Sequence, residues 1–143
     1  VGGGFTTGVI STVDKFAFSD DSRSTLGTGL SAANQGLGGM SNSGTAGYFG
    51  GGNTGSYVTT VDKFAFSDDS RSTLGTGLSS SRTATTGVSN SGTAGYFGGG
   101  YTSSAVATVD KFAFSDDSRS TLGTGLSAAR YSTGSIANQL GLV

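Results

Sequence analysis

Hydrophobic and polar residues alternate in short stretches along this chain, as they do in β-strands that are exposed on one face. In Val58–Phe66, the side chains of Phe64 and Phe66 share one face of the predicted strand, and that of Val61 lies on the other. The segment ends in Ser67–Ser70, whose short polar side chains favour a turn. The pattern therefore predicts a strand that is followed by a tight turn.

Three further strands are predicted in the same unit of sequence. Arg71–Leu78 places leucine and threonine on one face, Thr83–Ser89 consists of small residues, and Thr93–Gly98 leads into a run of glycines. No segment has the 3.6-residue period of a helix, and the glycine content disfavours helices. The pattern predicts an all-β fold with four short strands in each unit.

The unit is repeated with a step of 48 residues. The segment Thr12–Ser31 recurs without change at Thr60–Ser79 and at Thr108–Ser127, and the segment Ser41–Gly52 recurs at Ser89–Gly100. Three such steps make 144 residues, one more than the 143 of the chain. We therefore interpret residues 1–143 as a single repeat domain of three units.

The repeated residues resemble the kelch repeat. Tyr96–Gly99 corresponds to the strand that ends in a glycine pair, and Val109–Phe112 to the strand with valine three residues before an aromatic residue. Leu122 stands where kelch repeats usually carry tryptophan, and Leu126–Arg130 resembles the turn that bears arginine. The resemblance covers all three units. It implies a β-propeller made of four-stranded blades, three to a chain.

Propellers usually have four to eight blades. A chain with three blades therefore does not close the ring, and its first and last blades each leave one face open. Gly141–Val143 placed before Val1–Gly4 would read much like the repeated run that ends in three glycines. We therefore expect a homodimer in which the C-terminal strand of each chain completes the first blade of its partner, giving six blades. The alternative is that the chain is an excerpt of a longer propeller.

Composition restricts the chemistry that is expected of the chain. It has no cysteine and no histidine, so thiolate and imidazole ligands and the usual nucleophile–histidine pairs are excluded. The net charge of −1 and the lack of a long apolar run give no reason to expect binding to nucleic acid or to a membrane. The paired aspartates lack the spacing of a calcium loop and are expected to form solvated turns. Neither a metal nor a cofactor is predicted.

Low complexity also raises the alternative of a disordered chain. Disordered chains usually combine few aromatic residues with a high net charge, whereas this chain has 10% aromatic residues and is nearly neutral. The aromatic residues also recur at fixed positions of the unit. These features favour a folded repeat protein.

Most differences among the units fall in two sets of predicted loops. One set is Phe5–Val9, Asn53–Val58 and Tyr101–Val106, and the other is Ala32–Gly39, Ser80–Gly87 and Ala128–Gly134. In a four-stranded blade these loops lie on the same side, and varied loops often carry ligand contacts. Tyrosine and arginine are frequent in binding hot spots. The candidate ligand-binding residues are therefore Asn53, Tyr57, Arg82, Tyr101, Arg130 and Tyr131.

These observations predict a non-enzymatic propeller that acts as a binding or structural module, with a glycan or a protein as its ligand. Near-identical repeats of this composition resemble those of phage tail or virion proteins and of bacterial surface proteins, which implies a virion or extracellular location. Three alternatives stay open. They are a fibrous β-solenoid, an accessory propeller of an enzyme whose catalytic domain lies elsewhere, and a designed or reconstructed repeat protein.

Overall fold

The computed structural model describes residues 1–90 and 92–137, which form ten short β-strands and no helix. The all-β prediction is therefore confirmed for this part of the chain. The strands are β1 (Asp14–Phe16), β2 (Arg23–Thr25), β3 (Gly38–Asn42), β4 (Ala46–Gly50), β5 (Val61–Ala65), β6 (Arg71–Thr73), β7 (Thr86–Asn90), β8 (Ala94–Gly98), β9 (Val109–Ala113) and β10 (Arg119–Thr121).

The strands form three antiparallel sheets in which neighbours in the chain are neighbours in the sheet. We call them the first sheet (β1–β2), the middle sheet (β3–β4–β5–β6) and the last sheet (β7–β8–β9–β10). The middle and last sheets have the same register, since Gly50 pairs with Val61 as Gly98 pairs with Val109. The 48-residue sequence repeat is therefore also a repeat of structure.

The first sheet is smaller than predicted. Four strands were expected in each of three units, and the described residues give this number in the middle and last sheets only. The first sheet has two strands, extended by an isolated bridge between Gly2 and Val13. The segment Gly141–Val143, which was expected to continue this sheet in a partner, lies outside the described residues.

The second predicted strand of each unit ends early. The prediction was Arg71–Leu78, whereas β6 stops at Thr73. The chain then bends at Gly75 and Thr76. Leu78 consequently leaves the sheet and lies in the core, with 4% of its surface exposed. The other three predicted strands begin one to three residues later than expected.

The connections between strands lie at two opposite edges of the sheets. The short connections 43–45 and 66–70 are at one edge, which we call the turn edge. The longer connections 51–60 and 74–85 are at the other, which we call the loop edge. Antiparallel order requires this separation. The segments in which the units differ therefore lie together at the loop edge.

The middle and last sheets come closest at β3 and β7. The backbone of Gly87 lies against the carbonyl of Gly39, and a Cβ atom would not fit between them. Beside this contact, the amide of Ala84 donates to the carbonyl of Gly36 at 2.6 Å, and that of Ser132 donates to the carbonyl of Ala84 at 3.0 Å. The strand of small residues therefore occupies the most crowded position, where successive units are joined by main-chain hydrogen bonds.

Hydrophobic side chains fill the space between successive sheets. In the layer between the middle and last sheets, the rings of Phe97 and Phe112 meet edge to face at 5.8 Å. Phe49 and Phe64 form the equivalent pair, also at 5.8 Å, between the first and middle sheets. Each fully buried side chain of this size contributes roughly 1.5–3 kcal/mol. The buried members of the larger layer are Met40, Ala46, Tyr48, Val61, Leu78, Phe97, Phe112 and Phe114.

Replacing Gly50 by alanine tests this packing. A Cβ atom at Gly50 would lie 2.7 Å from ring atoms of Phe97, so the sheets would have to separate. We expect Gly50→Ala to lower the free energy of unfolding by about 1–3 kcal/mol in a urea titration. The control is Gly75→Ala, where a Cβ atom has no neighbour within 4 Å and the change should be within about 0.5 kcal/mol. Equal stability of the two variants would contradict the proposed packing.

Candidate ligand-binding edge

The varied segments of the loop edge form compact turns. Backbone bridges join Asn53 to Tyr57 and Tyr101 to Ala105, so each segment closes as a small hairpin. The side-chain carbonyl of Asn53 accepts a hydrogen bond from the amide of Gly55 at 2.9 Å. Of the predicted contact residues, Asn53 therefore also has a local structural role.

Three predicted contact residues, from the varied segments 53–58, 101–106 and 128–134, lie in a row. The rings of Tyr57 and Tyr101 are 6.2 Å apart, and those of Tyr101 and Tyr131 are 5.3 Å apart. Both pairs meet edge to face, at 88° and 71°. Tyr131 is the most open of the three, with 53% of its surface exposed. We call these residues the tyrosine row.

A shallow groove of about 270 Å³ lies beside the tyrosine row. It is lined by Thr83, Ala84, Tyr101, Tyr131 and Ser132. Ala84 and Ser132 have φ angles of 53° and 52°, the left-handed region that residues other than glycine rarely adopt. Thr83, Ala84 and Ser132 were not predicted as contacts. They belong to varied loops, but their residue types gave no signal of a ligand.

Arg130 is exposed beside the tyrosine row. Its guanidinium donates to the Ser127 hydroxyl at 2.7 Å and to the Ala128 carbonyl at 3.1 Å. Within the described residues it forms no ion pair with a carboxylate. Its charge is therefore available to a partner.

Arg82 differs from the other predicted contacts because its side chain is fully buried. Its guanidinium donates to the Asp110 carboxylate at 2.9 Å and to the Phe97 carbonyl at 3.3 Å. Neither side chain of the ion pair is exposed to solvent. The expectation that Arg82 presents its charge to a ligand therefore needs correction, since burial of a charge requires a partner and this arginine has one inside the protein.

The Asp110 carboxylate is surrounded by donors. Burial alone would raise its pKa, but hydrogen bonds from Thr121 and Ser79 and the charge of Arg82 outweigh that effect and hold the pKa below its usual value. The amide and the hydroxyl of Ser79 donate to it at 2.8 and 2.9 Å. The donors come from the connection 74–85 and from β10, so this carboxylate ties the loop that follows the middle sheet to the last sheet.

The paired aspartates form turns. Asp68 accepts a hydrogen bond from the amide of Ser70 at 3.0 Å, and this interaction with Ser70 lowers the pKa of its carboxyl. Asp117 is the second aspartate of the pair in the next unit. It forms an ion pair with Lys63 of the middle sheet at 2.6 Å. In residues 1–90 and 92–137 no group of three or more potential ligands could hold a metal ion.

No protein-family model matches the chain, and a search of the curated proteins finds no significant match. Among the described residues, no helix has the length and apolar character needed to cross a membrane.

Replacing Arg82 by asparagine, the residue found at the equivalent position 34, tests the buried ion pair. At neutral pH we expect Arg82→Asn to lower the free energy of unfolding by about 3 kcal/mol, because the buried Asp110 carboxylate loses the nearer of its two arginine partners and keeps Arg119 at 3.7 Å. The depressed pKa of Asp110 contributes stability above its unfolded value of about 3.9. This contribution is lost as the pH falls through the lower, folded value.

The difference between Arg82→Asn and the unaltered protein should therefore shrink as the pH is lowered from about 4 towards 2 in urea titrations. A protonated Asp110 no longer needs a counter-ion. A stability difference that stays constant from neutral pH to about 2 would show that the pair does not act in this way.

Proposed function

We propose that this chain is part of a kelch-like β-propeller that binds a carbohydrate at its loop edge and catalyses no reaction. The observation that carries the proposal is the tyrosine row of Tyr57, Tyr101 and Tyr131 beside a groove of about 270 Å³. The argument has three parts, which concern the architecture, the assembly and the ligand.

The arrangement of the sheets supports the propeller. Two equivalent four-stranded sheets with strands in chain order follow each other at a 48-residue step. Their closest approach is at β3 and β7, the strands of small residues. In a propeller the first strand of each blade lies at the axis, where blades are most crowded. Sheets that radiate from an axis, with β3 and β7 as their innermost strands, fit this geometry.

A homodimer of six blades would complete the propeller. The first sheet has two strands in the described residues, and Val1 and Gly2 take the place of only the last residues of β4. A strand donated by a second chain would pair with the open side of β1 and remove an exposed sheet edge. Closed symmetric assemblies are the usual form of homo-oligomers.

The lining of the groove supports a carbohydrate. Tyrosine combines a flat apolar ring with a hydroxyl, so it can stack on the C–H face of a sugar and also hydrogen-bond. The hydroxyls of Thr83 and Ser132 line the same groove and can take part in such bonds. None of the described residues that line it is charged. A neutral, hydroxyl-bearing ligand suits this combination better than an ionic one, and the resemblance to virion and surface proteins implies exposure to glycans.

A glycan-array screen followed by tyrosine substitution tests the ligand. We expect Tyr101→Ala and Tyr131→Ala each to weaken binding of the selected glycan by about 30-fold, the loss typical of a central contact. Phe66→Ala is the control, because Phe66 is an aromatic residue with 46% exposure at the turn edge. Unchanged affinity in both tyrosine variants would overturn the site. A protein ligand that needs these tyrosines, with no glycan bound, would overturn the ligand class alone.

A further inference from the structure

The contact between the middle and last sheets is the reference contact, which we call the template. It can be compared with the outward faces of the first and last sheets, which have no neighbouring sheet among the described residues. On the apolar side of this contact, Phe114 stacks on Tyr48 with ring centres 5.4 Å apart. Phe112 of the last sheet is fully buried in the same layer, as is Val61 of the middle sheet. A face with aromatic residues therefore packs on a face with tyrosine and aliphatic residues.

Ionic groups complete the template. The Asp117 carboxylate accepts a hydrogen bond from the Tyr48 hydroxyl at 2.9 Å and pairs with Lys63 at 2.6 Å. The second connection is the buried pair of Arg82 and Asp110. In both, a carboxylate of the last sheet meets a cation of the middle sheet or of the loop that follows it.

The outward side of the last sheet carries the equivalents of the residues that the middle sheet contributes to the template. We call it the last face. It carries Val88, Tyr96, Val109 and Lys111, which stand 48 residues after Met40, Tyr48, Val61 and Lys63. Met40, Tyr48 and Val61 are buried, whereas Val88, Tyr96 and Val109 are only partly buried. In the described part of the chain, neither the Lys111 amino group nor the Tyr96 hydroxyl has a carboxylate partner.

The exposed side of the first sheet carries the equivalents of the residues that the last sheet contributes to the template. We call it the first face. It carries Phe16 and Phe18, which are 47% and 99% exposed and stand 96 residues before Phe112 and Phe114. Exposed apolar side chains that lie together mark a surface for interaction. Asp14 and Asp21 occupy the positions of Asp110 and Asp117 on this face.

We propose that the last face of one chain binds the first face of a second copy, in the geometry of the contact between the middle and last sheets. Arg130 of one copy then pairs with Asp14 of the other, as Arg82 pairs with Asp110. Lys111 and Tyr96 meet Asp21 of the second copy, and Phe18 of that copy stacks on Tyr96. The inference rests on the proposed homodimer and specifies its contact.

Charge complementarity identifies a second copy as the occupant. The last face offers the cations of Lys111 and Arg130, and the first face offers the carboxylates of Asp14 and Asp21. Asp14 also pairs with Arg23 of its own chain at 3.1 Å, as Asp110 pairs with Arg119 at 3.7 Å beside its pair with Arg82. Arg130 already donates to Ser127 as Arg82 does to Ser79, at 2.7 and 3.4 Å, so little rearrangement is needed. The contact joins two different surfaces and is therefore head to tail, which closes into a ring if the rotation between copies permits. Two copies with two such contacts form the six-bladed ring.

Exchange of the two charges tests the contact. Arg130→Asp and Asp14→Arg should each weaken association by about 30-fold or more in analytical ultracentrifugation, since each places like charges together. The double variant should recover most of that loss. Arg130 is exposed, so its replacement should leave the fold of the monomer unchanged. The control is Asp68→Arg, an exposed charge reversal in the middle sheet, which should associate normally.

A second comparison tests the apolar part of the same contact. Phe18→Ala should weaken association, because it removes the ring that stacks on Tyr96 of the other copy. If the unaltered chain forms dimers and neither Phe18→Ala nor the single charge variants weaken them, the specified contact is wrong and the dimer must form elsewhere. If the unaltered chain stays monomeric at all accessible concentrations, the homodimer itself is wrong. The chain could instead form assemblies of more than two copies that the charge variants and Phe18→Ala both weaken. That result would support the contact and overturn the six-bladed ring.

Discussion

The contact of one sheet face with the next is the interaction on which the rest of this structure depends. Each unit is a small twisted sheet with hydrophobic side chains on both faces, and a sheet of four short strands cannot cover these faces by itself. Neighbouring sheets bury these faces against each other, as Phe97 and Phe112 of the last sheet lie in one buried layer with Val61 of the middle sheet. The ionic contact of Lys63 with Asp117 then fixes how one sheet sits on the next. Stability therefore arises between units, and exposed faces remain wherever a neighbour is absent.

Invariant and varied positions of the repeat have different physical roles. The invariant Asp110 and Ser79 form the hydrogen bonds that connect two units, and the glycines of β3, β7 and the adjoining strands permit close approach of the backbones. The varied positions lie at the loop edge, where Tyr57, Tyr101 and Tyr131 meet. A constant framework can thus carry a surface that changes from unit to unit without loss of packing.

Much of this organisation could be predicted from the sequence, because strands and repeats leave periodic patterns. The all-β fold, the four strands of a unit and the grouping of varied loops at one edge follow from alternation, turn residues and chain order. The early end of β6 at Thr73 could not be predicted, since alternation continues to Leu78 while tertiary packing draws that leucine into the core. Arg82 and Arg130 occupy equivalent positions in sequence. Only the presence of a neighbouring sheet makes one buried and the other exposed.

The central claim is that these sheets radiate from a common axis with their strands of small residues innermost. Electron microscopy of the purified 143-residue chain tests it most directly, because class averages show the arrangement of sheets without labels or substitutions. The account predicts discs with six radial sheets around a central opening, related by a twofold axis. Extended filaments, or particles in which the sheets stack along a line, would contradict it.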